Sequence, residues 1–138
     1  MTSDEQRRRK IHSHKDLDVW QRSMDLASEV YSLTALFPKE EMYGLAQQAR
    51  RAAVSIPSNI AEGAARNSSK EFIQHLYIAL GSTAELETQL LLAKRMGFLS
   101  TPDPFQPVDQ IRKMLIGLIQ SLKQTHVTRH ASRVTTHS

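Results

Sequence analysis

The stretch 51-RAAVSIPSNIAEGAAR-66 decides the fold. Ala52, Ala53, Ile56 and Ile60 recur at the three-to-four spacing of a helix, yet Pro57 stands among them, followed by the polar pair Ser58 and Asn59. Inside a helix a proline removes one backbone donor and crowds the carbonyl four residues back, here that of Ala53, at a cost of about 3 kcal/mol. Ser55, Ser58 and Asn59 are placed to bond carbonyls that such a bend would free. Two readings follow. One is a helix broken at the edge of a site. The other, which we adopt, is a continuous bundle helix that bends at Pro57 and so sets where Glu62 and Arg66 point.

Working outward, this helix extends over about 39–65, through Met42, Leu45 and Ala49, with Pro38 as its opening residue and Glu40 and Glu41 in its first turn. Its apolar residues are small, so a neighbouring backbone can come close. Gly63 and Asn67 read as stop signals near its end. Before it, Leu17, Trp20, Met24, Ala27 and Tyr31 step by three or four, with Val30 and Leu33 widening the stripe, and predict a helix over about 16–37. After it, Ser68 and Glu71 form a capping-box pattern that opens a helix of about 69–96, closed by Gly97. Its apolar set, from Phe72 through Leu76, Leu80, Leu86, Leu90 and Leu91, covers more than one stripe. A helix so apolar around its girth calls for two partners, and a second subunit is one way to supply the other. Pro102, Pro104 and Pro107 make a connector, and Val108, Ile111, Leu115, Leu118 and Leu122 then predict a helix over about 108–124. No useful length alternates with period two. The expected fold is all-α: an antiparallel up-down-up-down four-helix bundle spanning 16–124, with a basic arm at 1–15 and a disordered tail at 125–138.

The formal charge of +4 belongs to the ends. Residues 1–15 carry five basic and two acidic side chains, and 121–138 carry Lys123, Arg129 and Arg133 with no acid. Residues 16–120 hold ten basic and twelve acidic side chains, a slightly negative body between two positive tails. Such tails attract phosphate backbones without sequence preference, or simply keep a chain in solution. The absence of cysteine removes disulfides, thiolate catalysis and most zinc sites. The N-terminus lacks the apolar core of a secretion signal, and no run approaches a membrane span. A cytoplasmic, soluble protein is expected.

Catalysis would need a nucleophile with its base, a metal cluster or a phosphate cradle. No P-loop or GxGxxG is present. His126 and His130 have the spacing of a metal pair, which counts only if that tail is helical and a third ligand exists, and the di-metal Glu-x-x-His pair does not occur. Two polar stripes stand out: Arg51, Ser55, Asn59, Glu62 and Arg66 on the second helix, and Glu71, His75, Ser82, Glu85 and Gln89 on the third. Facing each other, they would place Glu62, Glu85 and His75 in one groove for acid–base or metal work. The plainer reading, which we prefer, is a hydrogen-bonded network with Arg50 and Arg51 that fixes helix register and subunit contacts. No catalytic residue, metal or cofactor is assigned.

The order 16-DLDVWQRSMDLASEVY-31, 44-GLAQQARRAAVSIPSNIAEGAAR-66, 68-SSKEFIQHLYIALGSTAELETQLLLA-93 and 96-MGFL-99 closely resembles the bacterial four-helix-bundle proteins, also called 23S rRNA intervening-sequence proteins. The similarity spans about Asp16 to Ser121. It implies a small helical bundle that assembles as a ring-like homopentamer, some members being encoded within insertions in 23S rRNA genes. A more distant relative with the same bundle is the accessory protein of diversity-generating retroelements, implicated in binding nucleic acid and a reverse transcriptase. Arg50, Arg51, Ser55, Pro57, Asn59, Glu62, Gly63, Arg66, Gly81, Ser82, Glu85 and Glu87 occupy the signature positions, to which the resemblance assigns no catalysis. The expected partners are other copies of the chain, and RNA or DNA met by Arg7, Arg8, Arg9, Lys10, Arg50, Arg51 and Arg66. A protein partner on the ring surface is the alternative. Pentamerisation would multiply each weakly basic tail by five and let phosphate binding gain from avidity.

Overall fold

The computed structural model describes residues 13–99 and 103–136, the last part from 126 as backbone. Four helices account for most of them: α1 (Asp18–Thr34), α2 (Leu45–Ala64), α3 (Ser69–Arg95) and α4 (Phe105–Thr136). Short 3-10 turns at His14–Asp16 and Lys39–Glu41 precede α1 and α2. Each helix packs on its neighbours in sequence, α1 and α4 close the square, and the diagonal pairs do not meet. Cross-seam pairs give the direction. Ser55 meets Ser82 and Asn59 meets His75, while Glu87 meets Arg112 and Tyr77 meets Lys123. In each seam one residue number rises as its partner's falls, so the helices alternate in direction, as expected.

The core runs down the middle of the square. Leu26 and Val30 of α1, Ala53, Ile56 and Ile60 of α2, Leu76, Leu86 and Leu90 of α3, and Val108, Ile111 and Leu115 of α4 are buried in one cluster. A smaller cluster of Phe37, Ala46 and Ala93, with Phe98 against it, seals one end.

The helix ends follow local chemistry. Ser68 Oγ accepts from the Glu71 N–H at 3.2 Å and caps α3. At the other end Gly97, at φ 78°, takes the left-handed conformation, and bonds from Phe98 N to Ala93 O and from Gly97 N to Lys94 O complete a Schellman motif. Phe98 then packs its ring 5.8 Å from that of Phe37.

Four details differ from the expectations. The first concerns the start of α2. Pro38 opens only the 3-10 turn, α2 starts at Leu45, and Glu41 acts from outside, its Oε2 accepting from the Leu45 N–H at 3.2 Å. Gly63 is not a stop signal either. It lies buried within α2, where its missing side chain admits α3. On α1 the buried residues are Val19, Ser23, Leu26, Ala27, Val30, Leu33 and Thr34, so Ala27, Val30 and Leu33 lie inward as expected while Met24 and Tyr31 lie on an exposed flank.

The fourth difference is the length of α4, which starts at Phe105, its N–H bonded to Asp103 Oδ1 at 2.8 Å, and continues through Thr136. The described backbone helix thus runs on to 136, into the segment 125–138 for which a tail is expected. That segment contains neither glycine nor proline. Adding a residue to a formed helix escapes the nucleation cost, so a paucity of apolar residues does not stop it.

Candidate functional site

The α2–α3 seam is built from small residues on α2. Ala46, Ala49, Ala52, Ala53 and Gly63 are buried, and they let the two backbones approach. Along the edge of this seam the two polar stripes meet. Ser55 Oγ and Ser82 Oγ share a hydrogen bond of 2.8 Å. Asn59 Nδ2 donates to Ser55 O at 2.9 Å and to Ser55 Oγ at 3.1 Å, and Asn59 Oδ1 lies 3.3 Å from His75 Nδ1. Glu62 Oε2 is 3.9 Å from the same ring nitrogen, and Glu62 Oε1 accepts from Arg66 at 3.0 Å. The chain Ser82–Ser55–Asn59–His75–Glu62, extended by Arg66, thus zips α2 to α3 over about two turns.

The helix runs unbroken through Pro57, which is itself buried. The Asn59 amide adds a side-chain donor at Ser55 O, two residues beyond the Ala53 carbonyl that the proline leaves without its helical donor. Ser58 is exposed.

The postulated pair Glu62 and Glu85 is not assembled. Glu62 serves the His75 and Arg66 end, while Glu85 Oε1 accepts from Gln89 Nε2 at 3.2 Å farther up α3. Antiparallel register puts Glu85 across from the region of Arg51, roughly 16 Å along α2 from Glu62 at 1.5 Å per residue. Among the described residues no three of His, Asp and Glu gather in a metal-binding arrangement. Glu87 lies on a different seam, where it accepts from Arg112 at 3.2 Å and ties α3 to α4. Gly81 is exposed, with open space where a Cβ would stand.

The three arginines proposed as a face are spread along α2 and do different things. Arg50 reaches back to α1. Its Nε donates to Thr34 Oγ1 at 2.8 Å, one terminal nitrogen lies 3.4 Å from Tyr31 O, and the guanidinium stacks 4.7 Å over the Tyr31 ring. Arg51 is exposed and points along the surface, its guanidinium 3.3 Å from the Gln47 amide oxygen, while the amide nitrogen of Gln47 donates to Tyr43 O. Arg66 is held by Glu62. Arg7, Arg8, Arg9 and Lys10 lie outside the described residues.

Arg50 and Arg51 instead share a cleft of about 550 Å³ with Tyr31, Tyr43 and Gln47. Tyr43 had no place in the sequence reading, and Tyr31 stood there only as part of the apolar stripe of α1. A readable signal did exist, because Tyr43, Gln47 and Arg51 stand four residues apart. A second cleft, of about 670 Å³ and mostly apolar, follows α1 and α2 past Trp20, Met24, Val54, Pro57 and Ala61. On the other side of the bundle, α3 leaves Tyr77, Ile78, Leu91, Leu92 and Met96 exposed. Among the described residues no helix is long and apolar enough to cross a membrane.

Comparison with known proteins agrees with this geometry. Residues 15–117 match the family model described as 23S rRNA-intervening sequence protein. A crystal structure from Bacteroides thetaiotaomicron, described as a protein with unknown function from the S23 ribosomal protein family, has a similar fold. It superposes with a TM-score of 0.68 at 27% identity, over 74% of this chain and 95% of that one. No curated protein matches the chain.

Proposed function

From the premise that the chain belongs to the 23S rRNA-intervening sequence protein family, we propose that it is a non-enzymatic homo-oligomer, a pentamer, that holds RNA or DNA through charge and without strong sequence preference. The observation that carries this reading is the uncovered outer face of α3. Tyr77 and Ile78 near one end and Leu91, Leu92 and Met96 near the other lie exposed along one helix, and large apolar side chains gathered on an outer face are a mark of protein contact. Assembly through it gathers the positive ends, 1–15 and 121–138, around a bundle whose own charge is slightly negative. Each end is too weakly charged to hold a polyanion alone. Several on one particle act together.

Light scattering tests the first half, with a mass five times the 15.6 kDa of one chain expected. A monomer at micromolar concentration would sink it. For the second half, titration of a labelled RNA duplex at several salt concentrations is expected to show affinity falling steeply and linearly on logarithmic axes. Deleting residues 1–15 removes five basic side chains per copy and is expected to flatten that slope. A slope unchanged by the deletion would remove the arm from the account.

A second reading has its own observation. The apolar cleft beside Trp20, Met24, Val54 and Pro57 suits a protein partner, which makes the ring an adaptor. Complexes captured through it would survive high salt, whereas charge-held nucleic acid would not.

A further inference from the structure

The cleft at the junction of α1 and α2 carries charge that the fold does not neutralise. Arg50 is fixed by a hydroxyl, a carbonyl and the face of an aromatic ring, with the Met42 sulfur 3.8 Å from a terminal nitrogen, all of them uncharged partners. Arg51 is anchored only by an amide. Among the described residues neither has a carboxylate within ion-pair distance, whereas Arg66 and Arg112 do. Two adjacent guanidiniums thus face one opening that no acidic residue lines. At the mouth of the same opening Tyr43 is 89% exposed, on the turn that leads into α2. Its side chain is not recruited to the core. The Gln47 amide bridges the Tyr43 main-chain carbonyl to Arg51, which ties the turn that carries the ring to the cation.

We propose that this cleft binds one nucleotide unit, its base stacked on Tyr43 and its phosphate drawn to Arg50 and Arg51. The inference rests on the nucleic-acid reading above and sharpens it, because a base can reach an exposed ring only when it is unpaired. Arg50, already clamped flat over Tyr31, meets a phosphate with little further ordering. A bare phosphate would leave most of the opening of about 550 Å³ unfilled. An exposed aromatic ring beside arginines is the arrangement that tracks single strands. The unit is either a free mononucleotide or one residue of a strand.

The test uses the full chain with five probes: AMP, ribose 5-phosphate, a twelve-nucleotide single strand, the matching duplex and an acidic peptide. AMP is expected to bind more tightly than ribose 5-phosphate. Tyr43→Ala is expected to weaken AMP and the single strand by about ten-fold, as loss of one base–aromatic stack does, and to leave the duplex within about two-fold, a level below what that loss would produce. Arg51→Gln weakens AMP and ribose 5-phosphate alike. Single-strand affinity well above that for AMP identifies a strand as the source, and the reverse identifies the free nucleotide. Unchanged affinity of Tyr43→Ala for both AMP and the strand overturns the proposal, as does an acidic peptide that binds as tightly as AMP. AMP binding that persists while neither duplex nor single strand binds would refute the charge-based reading and leave the cleft standing.

Discussion

Replacing Gly63 with valine is expected to lower stability by about 3 kcal/mol, the upper part of the range for overpacked sites. The reason is the α2–α3 crossing. A Cβ at this position would stand 2.7 Å from His75 Cβ, 2.9 Å from Phe72 Cδ1 and 3.2 Å from Phe72 O. A Cβ and a carbonyl are tied to backbone and cannot swing aside, so relief requires α3 to move away from α2. That movement would loosen Ile60 and Leu76, both fully buried nearby, and stretch the Asn59–His75 bond. Gly81→Ala makes the comparison decisive. A Cβ there meets nothing within 4 Å, and exchanging glycine for alanine inside a helix stabilises by up to about 1 kcal/mol. Urea midpoints at one fixed protein concentration should therefore move in opposite directions. A Gly63→Val midpoint equal to wild type would mean that the seam is not close-packed.

Leu86→Ala is expected to cost about 3 kcal/mol, within the span measured for leucine-to-alanine changes in cores. Leu86 is fully buried, in the central cluster that all four helices share, so the cavity has packed neighbours around it and cannot collapse easily. Leu92, one and a half turns on, is about half exposed. Leu92→Ala should leave the fold of a single chain within about 0.5 kcal/mol, as surface changes do, yet shift the assembly toward smaller species if the outer face of α3 is a subunit contact. Denaturation read by circular dichroism, paired with light scattering, separates the two effects. Equal loss of stability in both variants would show that α3 buries both faces within one chain.

Most of the architecture was legible because it depends on periodicity. Val108, Ile111, Leu115 and Leu122 announce α4, and Ser68 and Gly97 mark the ends of α3 by the backbone groups they satisfy. The errors have local causes. Met24 and Tyr31 fit a helical spacing as well as Val19 and Leu26 do, and only packing decides which of them face inward. Gly63 has the residue type of a stop signal, and sequence does not reveal that Phe72 and His75 fill the space beside it.

The polar seam was foreseeable in outline, since two stripes at helical spacing must meet if their helices pair. The cleft was not. Arg50 finds Thr34 sixteen residues away, and that its charge goes uncompensated is a fact of three-dimensional neighbours.

The square in which every helix touches only its sequence neighbours, with α1 and α4 closing it, also sets how the chain reaches its structure. Three of the four seams join helices linked by short connections, so their contacts form at small loop-closure cost and the chain belongs with quickly folding topologies. The α1–α4 seam joins the first helix to the last and must wait for the other three. Its bridging bond between Arg22 and Gln110 is exposed, so it is also the place where the structure opens first. Amide hydrogen exchange should accordingly be fastest, among the packed helices, in α1 and in the α4 turns facing it, and slowest around Ile56 and Leu86. Uniform protection across all four helices would mean that the bundle opens only as a whole.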